Sequence, residues 1–319
     1  MAVYTPIAFD DLGALLADYD IGTPRTFKGI AEGVENSNYL LQTDRGTYIL
    51  TLYEKRVRAE DLPFFLGLLE HLATRGIACP LPVRSRSGAQ STTLENRSAA
   101  LLTFLDGVSL SRPRAGHCAA AGAALAALHK AGADFAPRRA NSLSLPAWRR
   151  LAKALMPRAD AIEYGLAELI ASNLSALEET WPGDLPVGIV HADLFPDNVL
   201  FMEGKVSGLI DFYFACDDFY AYDLAVMLNA WCFEAGARFS RAKAQSLIAA
   251  YAKSRRLSAR EITALPVLAR GAALRFLLTR VQDWLDHDSA ALVRPKDPLE
   301  FASRLRFHAQ VASASEYGA

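Results

Sequence analysis

The chain has 319 residues, of which 51% are hydrophobic, and its 34 basic and 35 acidic side chains leave a formal net charge of −1. This length favours two lobes or domains over one, and the composition supplies enough apolar residues for a core. The balanced charge gives no electrostatic reason to expect nucleic acid or a membrane surface as a partner.

The four cysteines lie far apart in the sequence and form no C-x-x-C pair. We therefore expect free thiols in a reducing compartment. The N-terminus lacks a basic region followed by an apolar core, so no signal peptide is predicted. The longest apolar run, residues 118–128, is too short to span a bilayer. Together these features predict a cytoplasmic protein.

The N-terminal third of the chain alternates between strand-forming segments and turn residues. Its predicted strands are residues 26–30, 38–42, 47–53, 92–97 and 99–105. Its predicted helices are residues 9–19 and 61–75, where apolar side chains recur at helical spacing. Residues 43–46 are typical of a hairpin turn, and Gly29 and Gly33 bracket a second turn between the first two strands.

A change in sequence character after Leu105 marks the predicted boundary between two lobes, residues 1–105 and 106–319. Beyond it the chain is mostly helical. The predicted helices are residues 117–130, 151–180 and 270–287. A short strand is predicted at residues 187–190. The expected fold class is α+β, with an antiparallel sheet in the N-terminal lobe and mainly helices in the C-terminal lobe.

The stretch that follows this strand carries the chemistry. Residues 191–198 read HADLFPDN, which has the spacing H-x-D-x-x-x-x-N. Residues 199–201 and 206–210 are predicted as two short strands joined by a turn, and Asp211 follows the second strand. The same order of residues forms the catalytic loop and the metal-binding Asp of kinases.

Each polar residue of this block has a use in phosphoryl transfer, which depends on positioning and charge neutralisation. Asp193 can accept the hydrogen bond of an attacking hydroxyl, and His191 can hold the loop. Asn198 and Asp211 offer the hard oxygen atoms that Mg²⁺ prefers. In the alternative, these residues only cap a loop and end a strand. That alternative fits less well, because polar side chains around an apolar hairpin are poor core material.

These residues resemble the aminoglycoside phosphotransferase and choline kinase superfamily, whose members share a protein-kinase-like fold. Ala192 and Phe195 stand where protein kinases usually carry Arg and Lys. Within the superfamily the chain is most similar to the bacterial homoserine kinases, over nearly its whole length. The likeness is carried by the segments GVENSNY, YILTLYE, LPFF and DFYFAC, at residues 33–39, 48–54, 62–65 and 211–216.

The resemblance implies an enzyme that uses ATP and Mg²⁺ to phosphorylate the side-chain hydroxyl of L-homoserine for threonine biosynthesis. We expect no nucleic-acid or membrane partner, and either a monomer or a homodimer. The nucleotide would bind to residues of the N-terminal lobe and its boundary. These candidates are Gly29, Gly33, Thr51, Phe104 and Leu105.

Thr51 departs from the usual kinase pattern, because this position in the third strand commonly carries a Lys or Arg that binds the nucleotide phosphates. A hydroxyl group cannot replace that charge. The resemblance to bacterial homoserine kinases includes the Thr, so we do not interpret it as a sign of an inactive enzyme. The nearest candidates for the missing cation are Lys28, Lys55 and Arg56, although for each of them the sequence favours an ordinary solvated surface charge.

An amino-acid substrate presents a carboxylate and an ammonium group, so its site needs a guanidinium and a carboxylate. The candidate side chains are Asn36, Asp217, Arg275, Arg280 and Asp283. The alternatives are an ordinary loop carboxylate at Asp217 and surface ion pairs on the helix over residues 270–287.

Two polar residues outside the block are expected to have structural roles. Asp223 would begin and cap a helix, and its carboxylate would also bond the catalytic loop. His129, at the end of a predicted helix, suits the negative end of the helix dipole.

Three alternative functions are compatible with parts of this sequence. The nearest is another small-alcohol kinase acting on choline, methylthioribose or an aminoglycoside, whose site would not need Arg275 or Arg280. The second is a nucleotide-binding pseudokinase, which Thr51 alone supports. The third is a protein kinase, against which Phe195 and the absence of an A-P-E segment after Asp211 count.

Overall fold

The computed structural model describes residues 5–30, 36–54, 57–287 and 295–319. Within these ranges the chain divides into two compact units. The first holds the residues up to Asp106 together with Gly208–Tyr213, and the second holds Gly107–Ser207 and the residues from Phe214 onward. The predicted division into lobes between residues 105 and 106 remains a prediction.

The first unit is built on a five-stranded antiparallel sheet. Its strands are β1 (Pro24–Gly29), β2 (Ser37–Thr43), β3 (Thr47–Tyr53), β4 (Thr92–Leu94) and β5 (Arg97–Thr103), in the order β1-β2-β3-β5-β4. Successive side chains of a strand point to opposite faces of the sheet. Leu41, Leu50 and Leu101 are buried on one face, in the same core as Leu12 of α1 (Phe9–Ala17).

A second helix and a distant segment complete this unit. The helix α2 (Leu62–Thr74) buries a row of leucine and phenylalanine side chains. Residues Gly208–Tyr213 join the unit from far along the chain. The Leu209 N–H donates to the Ala78 carbonyl at 2.8 Å, and the Tyr213 ring meets the Phe65 ring edge-on at 5.8 Å.

The second unit is mainly helical. Its helices are α3 (Ala115–Ala131), α4 (Leu145–Ala159), α5 (Leu166–Thr180), α6 (Tyr220–Trp231), α7 (Arg241–Ser254), α8 (Ala259–Leu285) and α9 (Leu299–His308). Two short antiparallel pairs accompany them. The first joins β6 (Val187–Val190) to β9 (Cys216–Phe219). The second is the hairpin of β7 (Val199–Met202) and β8 (Lys205–Leu209), of which Gly208 and Leu209 already belong to the first unit. The α+β fold class is therefore confirmed.

Helix α8 forms the centre of the second unit. By length and composition it could cross a membrane, but 67% of its most apolar stretch is buried inside the protein, as expected for a core helix. Gly271 permits this burial, because a Cβ atom there would lie 2.2 Å from the Trp181 ring. The four cysteines, Cys79, Cys118, Cys216 and Cys232, are buried and free, as predicted.

Several predicted element boundaries were wrong, and the larger differences have clear causes. The helix expected over residues 151–180 is two helices, because the chain turns between α4 and α5, where Gly165 has a φ of +83°. The last long helix begins at Ala259, not at residue 270, since it continues through Pro266. The strand expected over residues 92–97 ends at Leu94, where left-handed turn residues begin the hairpin.

Candidate active site

The candidate catalytic loop, residues 191–198 of the second unit, connects β6 to β7 and ends in a single 3₁₀ turn, Pro196–Asn198. The Asn198 side-chain amide closes the loop by donating to the Asp193 carbonyl at 2.8 Å. This bond uses the nitrogen of the amide and leaves its oxygen as the atom that can bind a cation. The Asp193 N–H donates to Nδ1 of the fully buried His191 at 3.3 Å. His191 thus holds the loop, as the sequence predicted.

Asp223 anchors the start of this loop from α6. Its buried carboxylate accepts hydrogen bonds from the His191 N–H at 2.7 Å and from the Ala192 N–H at 2.8 Å. Burial by itself would raise the pKa of Asp223. Its bonds to His129 and the loop lower that pKa below its ordinary value. The predicted bond to the loop is confirmed, but the predicted cap is wrong, since α6 begins at Tyr220 and Asp223 lies inside its first turn.

A second layer of buried polar groups supports Asp223. His129 Nε2 lies 3.0 Å from the Asp223 carboxylate, and its Nδ1 lies 2.8 Å from the Tyr251 hydroxyl, which accepts from Arg255 at 3.2 Å. Burial lowers the pKa of His129. A neutral imidazole with its hydrogen on Nε2 fits all three contacts, because it donates to Asp223 and accepts from Tyr251. His129 is therefore structural, as predicted.

The backbone carbonyls of the loop are also held by side chains. Trp231 donates its indole N–H to the Leu194 carbonyl at 2.8 Å, and Arg275 of α8 donates to the Ala192 carbonyl. Ala192 has a φ of +62°, a left-handed conformation that non-glycine residues rarely adopt. These contacts keep Asp193 in place, and its carboxylate remains 19% exposed.

In the first unit, Asp211 also has a left-handed backbone, with a φ of +63°. The Tyr213 hydroxyl after it lies 3.0 Å from that of Tyr53 and also bonds the Thr51 side chain. Thr51 is itself buried and donates to Asn38 of β2 at 2.8 Å. Burial raises the pKa of both phenols, and the Asp211 charge adds to this effect. Thr51 is thus part of a neutral hydrogen-bond network.

The other nucleotide-site candidates are only partly placed. Gly29 ends β1, and Lys28 beside it is exposed. The exposed Phe104 donates its N–H to the Thr47 carbonyl at 3.2 Å. Leu105 lies against Gly208, where a Cβ atom would be 2.7 Å from its side chain. Gly33, Lys55 and Arg56 lie outside the described residues.

The candidate substrate residues differ in their surroundings. Asp217 accepts from Arg138 and from the Arg139 N–H, and Arg280 donates to Glu300 and to the Asp297 carbonyl. Arg275, by contrast, contacts the catalytic loop. The two remaining candidates are Asn36, which is buried beside Glu54, and Asp283, which is half-buried on α8.

One residue that holds the loop, Trp231, was missed from the sequence. Its indole N–H bonds the loop directly. Asp223 and Trp231 are two turns apart and therefore lie on one face of α6. That spacing within an otherwise apolar helix is the signal that could have identified Trp231.

Asn198 and Asp211 each have a side chain whose chemistry suits Mg²⁺. Within the described ranges, no three His, Cys, Asp or Glu side chains gather as a metal cluster. Mg²⁺ does not need such a cluster, because it usually takes one or two protein oxygens and completes its shell with substrate phosphates and water. Each taken within its own unit, the amide oxygen of Asn198 and the carboxylate of Asp211 are oxygen atoms of the kind that can bind Mg²⁺.

The chain matches the model of the phosphotransferase enzyme family over residues 26–257. It is 60% identical over 318 residues to the homoserine kinases of Xanthobacter autotrophicus and Rhodospirillum rubrum, with 100% of this chain and 99% of each relative covered.

Solved structures with low sequence identity share the fold. Amicoumacin kinase hAmiN is similar with a TM-score of 0.73 at 15% identity, covering 95% of this chain and 93% of that one. Choline kinase from Cryptosporidium parvum is similar with a TM-score of 0.66 at 17% identity, covering 94% of this chain and 93% of that one.

Proposed function

The chain belongs to the phosphotransferase enzyme family, and from the homoserine kinases that match its whole length we infer that it is a homoserine kinase. It transfers the γ-phosphoryl group of ATP to the side-chain hydroxyl of L-homoserine, giving O-phosphohomoserine for threonine biosynthesis. The observation that carries this conclusion is 60% identity over 318 residues, which leaves no part of the chain unmatched.

Asp193 is the residue that we assign to the acceptor hydroxyl. A carboxylate within hydrogen-bond reach orients the hydroxyl oxygen toward the γ-phosphorus and accepts its proton as the new P–O bond forms. The partial exposure of the Asp193 side chain suits this role, since the acceptor needs access to it. Side chains of α6 and α8 fix the backbone on both sides of Asp193, which favours a rigid position for its carboxylate.

Asn198 and Asp211 are the residues that we assign to Mg²⁺, each through a side-chain oxygen. When bound, the metal would neutralise charge on the phosphate oxygens of the nucleotide. The hydrogen bond from the Asn198 amide nitrogen to the Asp193 carbonyl supports this role, because it fixes the orientation of the amide.

The nucleotide site is proposed to include Gly29, Gly33, Thr51, Phe104 and Leu105. Thr51 would contribute through the hydrogen bonds that order β2 and β3 and not through charge. The residues proposed to bind the ammonium and carboxylate groups of the amino-acid substrate are Asn36, Asp217, Arg280 and Asp283. A cytoplasmic location and a monomeric or homodimeric state stay predictions.

The proposed function is tested by measuring ADP release with Mg-ATP in the presence of homoserine, choline, methylthioribose or an aminoglycoside. We expect the highest kcat/KM with homoserine. A higher value with another acceptor would reassign the substrate within the family. The absence of ATP turnover with every acceptor, in a protein that still binds ATP, would instead support the pseudokinase alternative.

A further inference from the structure

Ala192, immediately before Asp193, is held in an unfavourable backbone conformation. Its φ of +62° places it in the left-handed region, where an alanine side chain crowds the backbone. Such conformations persist only where the surroundings impose them. If this peptide relaxed, the Asp193 carboxylate would point in another direction. The direction of that carboxylate therefore depends on the groups that hold Ala192.

Two side chains bind the backbone of Ala192, one at its N–H group and the other at its carbonyl. The amide N–H of Ala192 donates to Asp223 at 2.8 Å, and the carbonyl of Ala192 accepts from Arg275 Nη1. A second nitrogen of the same guanidinium, Nη2, lies 4.0 Å from Oδ1 of Asp193. Arg275 therefore contacts the strained residue and also faces the carboxylate that follows it.

The surroundings of Arg275 are unusual for a positive charge. Its side chain is 2% exposed, and its guanidinium lies 4.3 Å from the centre of the Phe276 ring and 5.2 Å from that of Phe214. Its Nε has no hydrogen-bond partner among the residues that the structure describes. Burying a guanidinium with incomplete hydrogen bonding is costly, so an apolar side chain would serve a purely structural role better.

The same burial argues against direct binding of substrate. A guanidinium that binds a carboxylate needs two accessible, parallel N–H groups. In Arg275 the accessible surface is almost absent, and Nη1 already donates to the Ala192 carbonyl. A substrate carboxylate could bind here only after breaking that bond.

We propose that Arg275 is a positioning residue, which holds Ala192 in its left-handed conformation and thereby directs Asp193 toward the acceptor hydroxyl. This proposal deepens the proposed phosphoryl transfer and replaces the role in substrate binding that the sequence suggested for Arg275. Asp223 holds the amide side of Ala192, and Arg275 holds its carbonyl side.

The test compares Arg275→Met with wild type, first alone and then in the Ala192→Gly background. Displacing a reacting group costs about a hundredfold, so Arg275→Met should lower kcat by that order and leave the KM for homoserine within about threefold. Glycine adopts a positive φ without the crowding that alanine experiences. In the Ala192→Gly background the same substitution should therefore cost about tenfold less in kcat.

Arg270→Met is the matched control, because Arg270 lies on the same helix but donates to Asn173 of α5 and not to the loop. Its kcat should stay near that of wild type. Thermal melting of every variant reports folding, and if Arg275→Met does not fold, Arg275→Lys is measured in both backgrounds in its place. A raised KM with unchanged kcat would overturn the proposal and indicate a substrate ligand. An equal loss of kcat in both backgrounds would also overturn it.

The wild-type assay separates this proposal from the proposed function. If wild type phosphorylates a different acceptor, the function is reassigned, and the Arg275 variants are measured with that acceptor.

Discussion

At the scale of single residues, the catalytic loop is held mainly by side chains that bond its backbone. Asp223 accepts from two of its amides, and Arg275 and Trp231 donate to two of its carbonyls. Buried backbone polar groups that lack a partner are costly, and here helix side chains supply the partners that a loop cannot supply itself. The loop is therefore held in place although the residues before its final 3₁₀ turn belong to no sheet or helix.

Replacing the proposed base should remove turnover without unfolding the protein. Asp193→Ala is expected to lower kcat by about 10²–10⁴-fold, because the acceptor hydroxyl loses the group that orients it and takes its proton. The melting temperature and ATP affinity should change little. Asp197→Ala is the control, since Asp197 lies in the same loop but is exposed and pairs with Lys296 at 3.1 Å. Equal activity of the Asp193 and Asp197 variants would contradict the assignment.

Replacing the proposed metal ligand of the first unit should change the response to Mg²⁺. Asp211→Asn removes the charge but keeps a residue that tolerates the left-handed φ of +63° found here. We expect the Mg²⁺ concentration for half-maximal activity to rise by about tenfold or more. A Mg²⁺ titration at saturating homoserine measures this. A drop in melting temperature that accounts for the lost activity would show that Asp211 is structural.

The site could be predicted from the sequence where chemistry fixes the spacing. Asp193, Asn198 and Asp211 could be proposed as site residues because phosphoryl transfer needs those residue types in that order. Arg275 was noticed for its charge, but its contact with Ala192 depends on how α8 packs against a loop far away in the chain. Sequence patterns report which face of a helix is apolar, and they do not report which carbonyl a buried guanidinium will meet.

At the scale of elements, close packing of helices depends on small residues. Helix α3 passes α7 so closely that a Cβ atom on Gly122 would lie 2.4 Å from the Leu247 carbonyl oxygen. A backbone atom cannot rotate away as a flexible side chain can. The sequence of α3 predicted a helix over residues 117–130, but it did not identify the position at which α7 comes closest.

Adding one methyl group at this crossing should destabilise the protein. Gly122→Ala is expected to lower the free energy of unfolding by about 1–3 kcal/mol, the usual cost of overpacking. Thermal or denaturant melting measures the loss. The control is Gly116→Ala in the first turn of the same helix, where a Cβ atom would meet nothing within 4 Å. If the two variants melted alike, the close crossing would not be the cause.

At the scale of the whole molecule, the free energy of unfolding should depend on pH, because a buried histidine stays neutral in the folded protein. His308 of α9 is buried against Tyr317, and burial together with the Arg304 charge lowers its pKa from 6.5 to about 3. The folded protein keeps His308 neutral, whereas the unfolded chain binds a proton there below its ordinary pKa. This contribution to stability is therefore complete above pH 6.5 and is lost as the pH falls toward 3.

Replacing this histidine should reduce the loss of unfolding free energy that occurs as the pH falls below 7. Between pH 7 and pH 5, His308→Gln should lose about 2 kcal/mol less stability than wild type. Melting curves of both proteins across this range measure the difference. An identical pH dependence in the variant would show that His308 is not the group responsible.

The first unit is not a continuous stretch of chain, because Gly208–Tyr213 complete it through the bond to Ala78 and the contact with Phe65. During synthesis on the ribosome, this unit can reach its final state only after Tyr213 has left the exit tunnel. A fragment truncated at Asp106 would lack the Tyr213 ring and the Leu209 N–H, and so could not form these contacts. The nascent N-terminal residues must wait for more than one hundred later ones, a sequence separation of the kind that slows folding.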